Sequence, residues 1–152
     1  MNDAIRVNPA PVLTLWAAVV AERLGHSPDV ALGLAGAVAG TSPLLAGVAG
    51  GETIPLLGRM VPVVVAQDGT RHAAGAAGQP VAVEPLRHYL ARAFGPHLAV
   101  VRAAMEARAA ALPPEELNRL GLRLYEAFRP DPPATLRGKG LLHLERIRAA
   151  AA

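Results

Sequence analysis

The chain contains no cysteine, a single lysine, one tryptophan, two tyrosines and two phenylalanines. Without thiols it has no disulfides, no thiolate nucleophile and no cysteine-ligated zinc or iron–sulfur centre. Nothing in such a composition calls for an oxidising compartment, so a cytoplasmic location is expected. Few aromatic side chains mean that the core must be assembled from Leu, Val and Ala, each of which buries little area. Charge is also sparse, 18% of residues against 52% hydrophobic, which excludes disorder because ample apolar surface offsets the entropy of ordering the chain.

Between Val30 and Gly51 there is no charged residue at all. That length suits a membrane span, but the stretch is rich in Ala and Gly and includes Thr41, Ser42 and Pro43. A buried helix followed by a glycine-rich connection is expected, with no membrane partner. The opening segment has Arg6 followed by an apolar run, as a secretion signal would. Glu22 and Arg23 follow without a small-residue cleavage site, however, and Pro9 or Pro11 suits the start of an amphipathic helix instead.

What is present reads mainly as helix. Val12, Trp16, Val19 or Val20, and Leu24 recur at helical intervals, and Gly25 offers a stop. Ser27-Pro28-Asp29 then combines a cap, a first-turn proline and an acid at the positive helix end. Gly40-Thr41-Ser42-Pro43 interrupts this second helix, and Gly33 and Gly36 suit a close approach by another element. Further stripes run through Leu86, Leu90 and Phe94, then Leu98, Val101 and Met105, then Leu117, Leu120, Leu124 and Phe128. A last short helix is expected from Leu141 to about Ala150. Between them, Met60 to Ala66 favours a strand, Gln67-Asp68-Gly69-Thr70 a turn and Arg71 to Ala73 a return strand. Pro62 lacks an amide donor, so an edge position or a strand start is expected for it. The sequence therefore predicts a mainly α, α+β protein: one multi-helix domain over residues 1–152 with one short hairpin at about 54–73.

Chemistry is less evident. His26, His72, His88, His97 and His143 show no ligand spacing, and no metal or cofactor is expected. Gly33, Gly36 and Gly40 lack the Lys-Ser/Thr ending of a phosphate-binding loop, and neither Ser27 nor Ser42 sits in a nucleophile elbow. The most distinctive polar group is Arg87-His88-Tyr89 with Arg92. His88 and Arg92, four apart, can share a helix face toward a carboxylate or phosphate, with Tyr89 as a donor. No nucleophile or paired carboxylate completes a catalytic unit, so no catalytic residue is assigned and an enzyme is not favoured.

Net charge is +3, but it is uneven: residues 81–152 hold eleven basic and seven acidic side chains. Arg137, Lys139, Arg146 and Arg148 concentrate that charge and form a candidate nucleic-acid surface, which Glu145 interrupts and no aromatic stacking platform supports.

The segments NPAPVLTLWAAVVAERLG, PLLGRMVPVV and RPDPPATLRGKGLLHLERIR together resemble a small family of uncharacterised bacterial proteins, over nearly the whole chain. The resemblance implies a single self-contained domain and transfers no activity and no residue roles. The functional expectation is a homo-oligomeric interaction module, a homodimer through an Ala/Gly-rich helix face, with DNA or RNA as a further partner. The alternative is a small-molecule-binding protein or enzyme with a site near the hairpin and the 84–94 helix.

Overall fold

The computed structural model describes residues 4–41, 52–75, 78–132 and 140–149. In chain order these form β1 (Ala4–Arg6), α1 (Pro9–Arg23), α2 (Pro28–Ala39), β2 (Thr53–Leu56), β3 (Arg59–Val65), β4 (Arg71–Ala73), α3 (Glu84–Phe94), α4 (Leu98–Ala110), α5 (Pro114–Phe128), β5 (Leu141–His143) and α6 (Leu144–Ala149). A 3-10 turn, Gly95–His97, links α3 to α4. The helices carry two small antiparallel sheets, β1–β5 and β2–β3–β4, and the α+β class holds. One cluster of buried side chains runs from Ile5 to Ile147.

Local signals set the helix ends. Ser27 Oγ accepts the Val30 N–H at 3.4 Å, Pro28 takes the first turn with Asp29, and Gly40 closes α2 at φ +72°. Gly33 brings α2 close to the 81–83 segment, since a Cβ there would lie 2.8 Å from Val81 Cγ1.

α1 is not the one-sided helix that its stripe suggests. Val12 and every residue from Thr14 to Ala21 are buried, because α1 touches α2, α3, α4, α5 and β2. A helix surrounded in this way needs to be apolar all round. Its buried hydroxyl, Thr14 Oγ1, donates to the Ala10 carbonyl at 2.8 Å and shares a 3.0 Å bond with Thr41. α2 is buried from Val30 to Val38. Residues 42–51, the rest of the uncharged stretch, lie outside the described residues. Among the described residues no helix is long and apolar enough to cross a membrane.

The expected hairpin is one half of a three-stranded meander in which β3 is central, pairing Thr53 with Pro62 on one side and Val63 with Ala73 on the other. Pro62 is thus neither on an edge strand nor at a strand start. The sheet tolerates it because Val63 N–H donates to Glu52 on the β2 side, so by alternation Pro62 nitrogen faces β4, where the ladder ends. The turn between β2 and β3 is Leu57-Gly58, with φ +52° and +81°. Two such residues give the turn whose twist matches the strands, although a leucine in this conformation is strained by roughly 1–2 kcal/mol. Compensation comes from α5. Asn118 Oδ1 accepts the Leu57 N–H at 2.7 Å, and Asn118 Nδ2 donates to the Pro55 carbonyl at 3.2 Å. The Leu57 side chain is 2% exposed and packs where Gly121 has no Cβ. Trp16 Nε1 donates to the carbonyl of that same glycine at 2.8 Å, and the Trp16 ring meets Phe128 edge-on at 5.3 Å.

Ahead of the last helix, Leu141–His143 pairs with β1 as β5, so α6 begins at Leu144 rather than Leu141. Gly140 is required at this junction, because a Cβ would lie 2.7 Å from the Asp131 carbonyl and 2.8 Å from Pro130 Cβ.

Candidate functional site

α3 buries Leu86, Leu90 and Phe94. The residues between them project to either side of that stripe, and the four polar residues singled out in the sequence are consequently divided. Arg87 and Leu90 line one cleft, Tyr89 and Arg92 line a second, and His88 is exposed and lines neither. His88 therefore does not join Arg92 and Tyr89 in a common site, even though it lies one helical turn from Arg92.

The larger cleft, about 340 Å³, opens where α1, α2, α3 and α4 meet. Its floor is Leu15, Ala18, Leu32, Leu90 and Leu98, the first four of which are buried core residues. Its rim carries Glu22, Asp29, Arg87 and Arg102. Asp29 reaches the rim because Ser27 and Pro28 start α2 just before it. Two ion pairs bridge the helices there: Arg87 of α3 with Asp29 of α2, and Arg102 of α4 with Glu22 of α1. Arg87 also contacts Glu84, and Arg102 approaches Glu106 at 3.6 Å, so each guanidinium is divided between two carboxylates. The Glu22–Arg102 pair is the less solvated, with side chains 28% and 31% exposed.

The smaller cleft, about 250 Å³, lies between the start of α1 and the last turns of α3. Val7, Pro11 and Ala93 form its apolar walls, while Asn8, Tyr89 and Arg92 supply its polar atoms. Asn8 is the N-cap residue of α1, yet its side chain makes no capping bond. Burial pushes the Tyr89 phenol further above an ordinary value that already leaves it protonated at neutral pH.

A broad depression of about 560 Å³ lies at the far end of the meander, between Val64–Asp68 and Gly78–Pro80. Beside it, Thr70 Oγ1 is bonded to Asp68 Oδ1 at 2.6 Å and to His72 Nε2 at 2.7 Å. These bonds close the β3–β4 turn, and the same Thr70 contacts hold the Asp68 carboxyl below its usual range.

Of the basic cluster, Arg137 and Lys139 lie outside the described residues. Arg146 donates to Asp131 Oδ1 at 2.6 Å, while His143 Nε2 bonds Asp131 Oδ2 at 3.0 Å. Arg148 also has an interaction partner. Arg146 therefore serves to fasten β5 and α6 to the corner after α5. His97, like His88, is exposed, as surface-helix histidines are. Among the described residues no group of three or more His, Asp or Glu side chains is arranged to hold a metal ion.

Sequence reasoning found Arg87, Tyr89 and Arg92 but missed Glu22, Asp29, Arg102 and Asn8 as cleft residues. Arg102 stands out locally only beside Glu106 four residues on; its tie to Glu22 crosses 80 residues and leaves no local trace. Comparison with protein-family models, with curated proteins and with solved structures gave no match to this chain.

Proposed function

We propose that the protein binds a predominantly apolar small molecule in the cleft between α1, α2, α3 and α4. The observation that carries this reading is a cleft of about 340 Å³ with a leucine-rich floor and a rim whose charges are already paired. Ligand sites of about 300–1,000 Å³ are typically apolar with a few fixed polar groups at the edge. Because Glu22 and Asp29 are both engaged by arginines, the site offers no unpaired base, which favours binding over acid–base turnover. The reading also retains the cytoplasmic placement that the cysteine-free sequence suggests.

Titration with the neutral dye N-phenyl-1-naphthylamine tests it. Saturable fluorescence enhancement is expected, with at least a tenfold loss of affinity in Leu98→Trp, whose indole would fill the cleft from its half-buried edge. Far-ultraviolet circular dichroism would establish that the variant is folded. No saturation, or dye binding unchanged by Leu98→Trp, would reject the site.

A second reading, self-association, rests on the outer face of the meander. Met60 is 61% exposed there, beside Pro62 and Val64. A dimer by light scattering that Met60→Lys dissociates would support it; a monomer at all concentrations would remove it. Nucleic-acid association keeps only the excess charge of residues 81–152 as its support.

A further inference from the structure

The smaller cleft differs from the larger one in how its polar groups are spent. In the larger cleft each arginine is shared by two carboxylates. In the smaller one the Asn8 carboxamide, the Tyr89 hydroxyl and the Arg92 guanidinium have no hydrogen-bond or ion-pair partner among the described residues, and no carboxylate is among the lining side chains.

We propose that this cleft is a separate binding site for a small monocarboxylate, with Arg92 receiving the carboxylate and Val7, Pro11 and Ala93 receiving its short apolar body. Four arguments lead to that class. A guanidinium presents donors in a planar fork that matches a carboxylate, and a charge-assisted bond is about twice as strong as a neutral one. The Tyr89 hydroxyl, protonated at neutral pH as phenols are, and the Asn8 amide add donors beside it. The apolar walls give no partner to the outer oxygens of a phosphate or a dicarboxylate, whereas a single carboxylate presents one charged end and one apolar end. A volume of about 250 Å³ falls below the usual range for larger organic ligands and suits an acid of a few carbons or one ring.

This site faces the opposite side of α3 from the apolar cleft and is read by a different probe, so the two readings stand or fall separately. Isothermal titration of the full chain with benzoate, at low salt, tests the proposal. Saturable one-site binding is expected, weakened about tenfold or more by Arg92→Gln and a few-fold by Tyr89→Phe. Arg87→Gln, which alters only the other side of the helix, should leave benzoate affinity unchanged. Inorganic phosphate should bind at least tenfold more weakly than benzoate. Absence of saturable binding overturns the site, as does equal weakening by Arg87→Gln and Arg92→Gln. Phosphate binding as tight as benzoate overturns the assignment to a monocarboxylate. Unfolding midpoints of the three variants within about 2 °C of the parent establish that the fold is intact.

Discussion

Gly121→Ala sets two effects of opposite sign against each other. In an exposed helix interior, alanine in place of glycine stabilises by about 1 kcal/mol. At Gly121 the added methyl would overlap Leu57 Cδ2, with Trp16 Nε1 3.7 Å away. Leu57 cannot readily swing aside, since its side chain is 2% exposed and its backbone, at φ +52°, is tied to Asn118. Overpacking of this kind costs about 1–3 kcal/mol, so the expected net change is a loss of roughly 1 kcal/mol, near 2–4 °C in melting temperature for a chain of this size. In a Leu57→Ala background the overlap disappears, and the same substitution should instead stabilise by about 1 kcal/mol. Urea unfolding of the four proteins, followed by fluorescence of Trp16, the chain's one tryptophan, measures this as a coupling of about 1–3 kcal/mol. If Gly121→Ala stabilises both backgrounds equally, the packing argument for this glycine is wrong.

Asn118→Ala should cost about 1–3 kcal/mol, because it leaves the Leu57 N–H without its acceptor. Asn118→Asp, which keeps an acceptor but loses the donor to Pro55, should cost less, and a cost for the alanine variant below about 0.5 kcal/mol, within the range of an ordinary surface substitution, would contradict the role given to this side chain. For Asp131, the hydrogen bond from Arg146, then that from His143, holds the carboxyl below its usual range. A depressed folded value means that the linked stability is present above the unfolded value, about 3.9, and is lost as pH falls through the lower folded one. Asp131→Asn should therefore show a flatter decline of stability below about pH 4 than the parent, and parallel acid limbs would refute the linkage.

How far the sequence revealed the fold follows from the range of each signal. Ser27-Pro28-Asp29 and Gly40 act within a few residues of themselves, and the ends of α2 that they predict are where the structure has them. β2 was obscured because Thr53–Leu56 is short and its partner identity depends on the Leu57-Gly58 turn, whose leucine is an unusual choice for a left-handed position. The β1–β5 pairing joins two three-residue strands from opposite ends of the chain, too short for either to show a period. At the candidate site, Tyr89 and Arg92 stood out as a polar cluster on a helix. Their separation from Arg87 and His88 depends on which way α3 is rotated against α1, and that rotation is fixed by Leu86, Leu90 and Phe94 meeting residues far away in sequence.

The β1–β5 ribbon constrains how the protein can fold during its synthesis. Ile5 and Val7 are buried, and their covering strand and the Gly140 carbonyl that accepts the Val7 N–H at 2.9 Å lie far downstream and are made long after them. At ordinary elongation rates the ribosome delivers them on the order of ten seconds after β1. Throughout that interval a short apolar edge stands open beside the nascent central helix, and long-range closure of this kind is intrinsically slow. Exposure to chaperones and to intermolecular strand pairing should therefore be concentrated in the interval between the synthesis of β1 and that of β5.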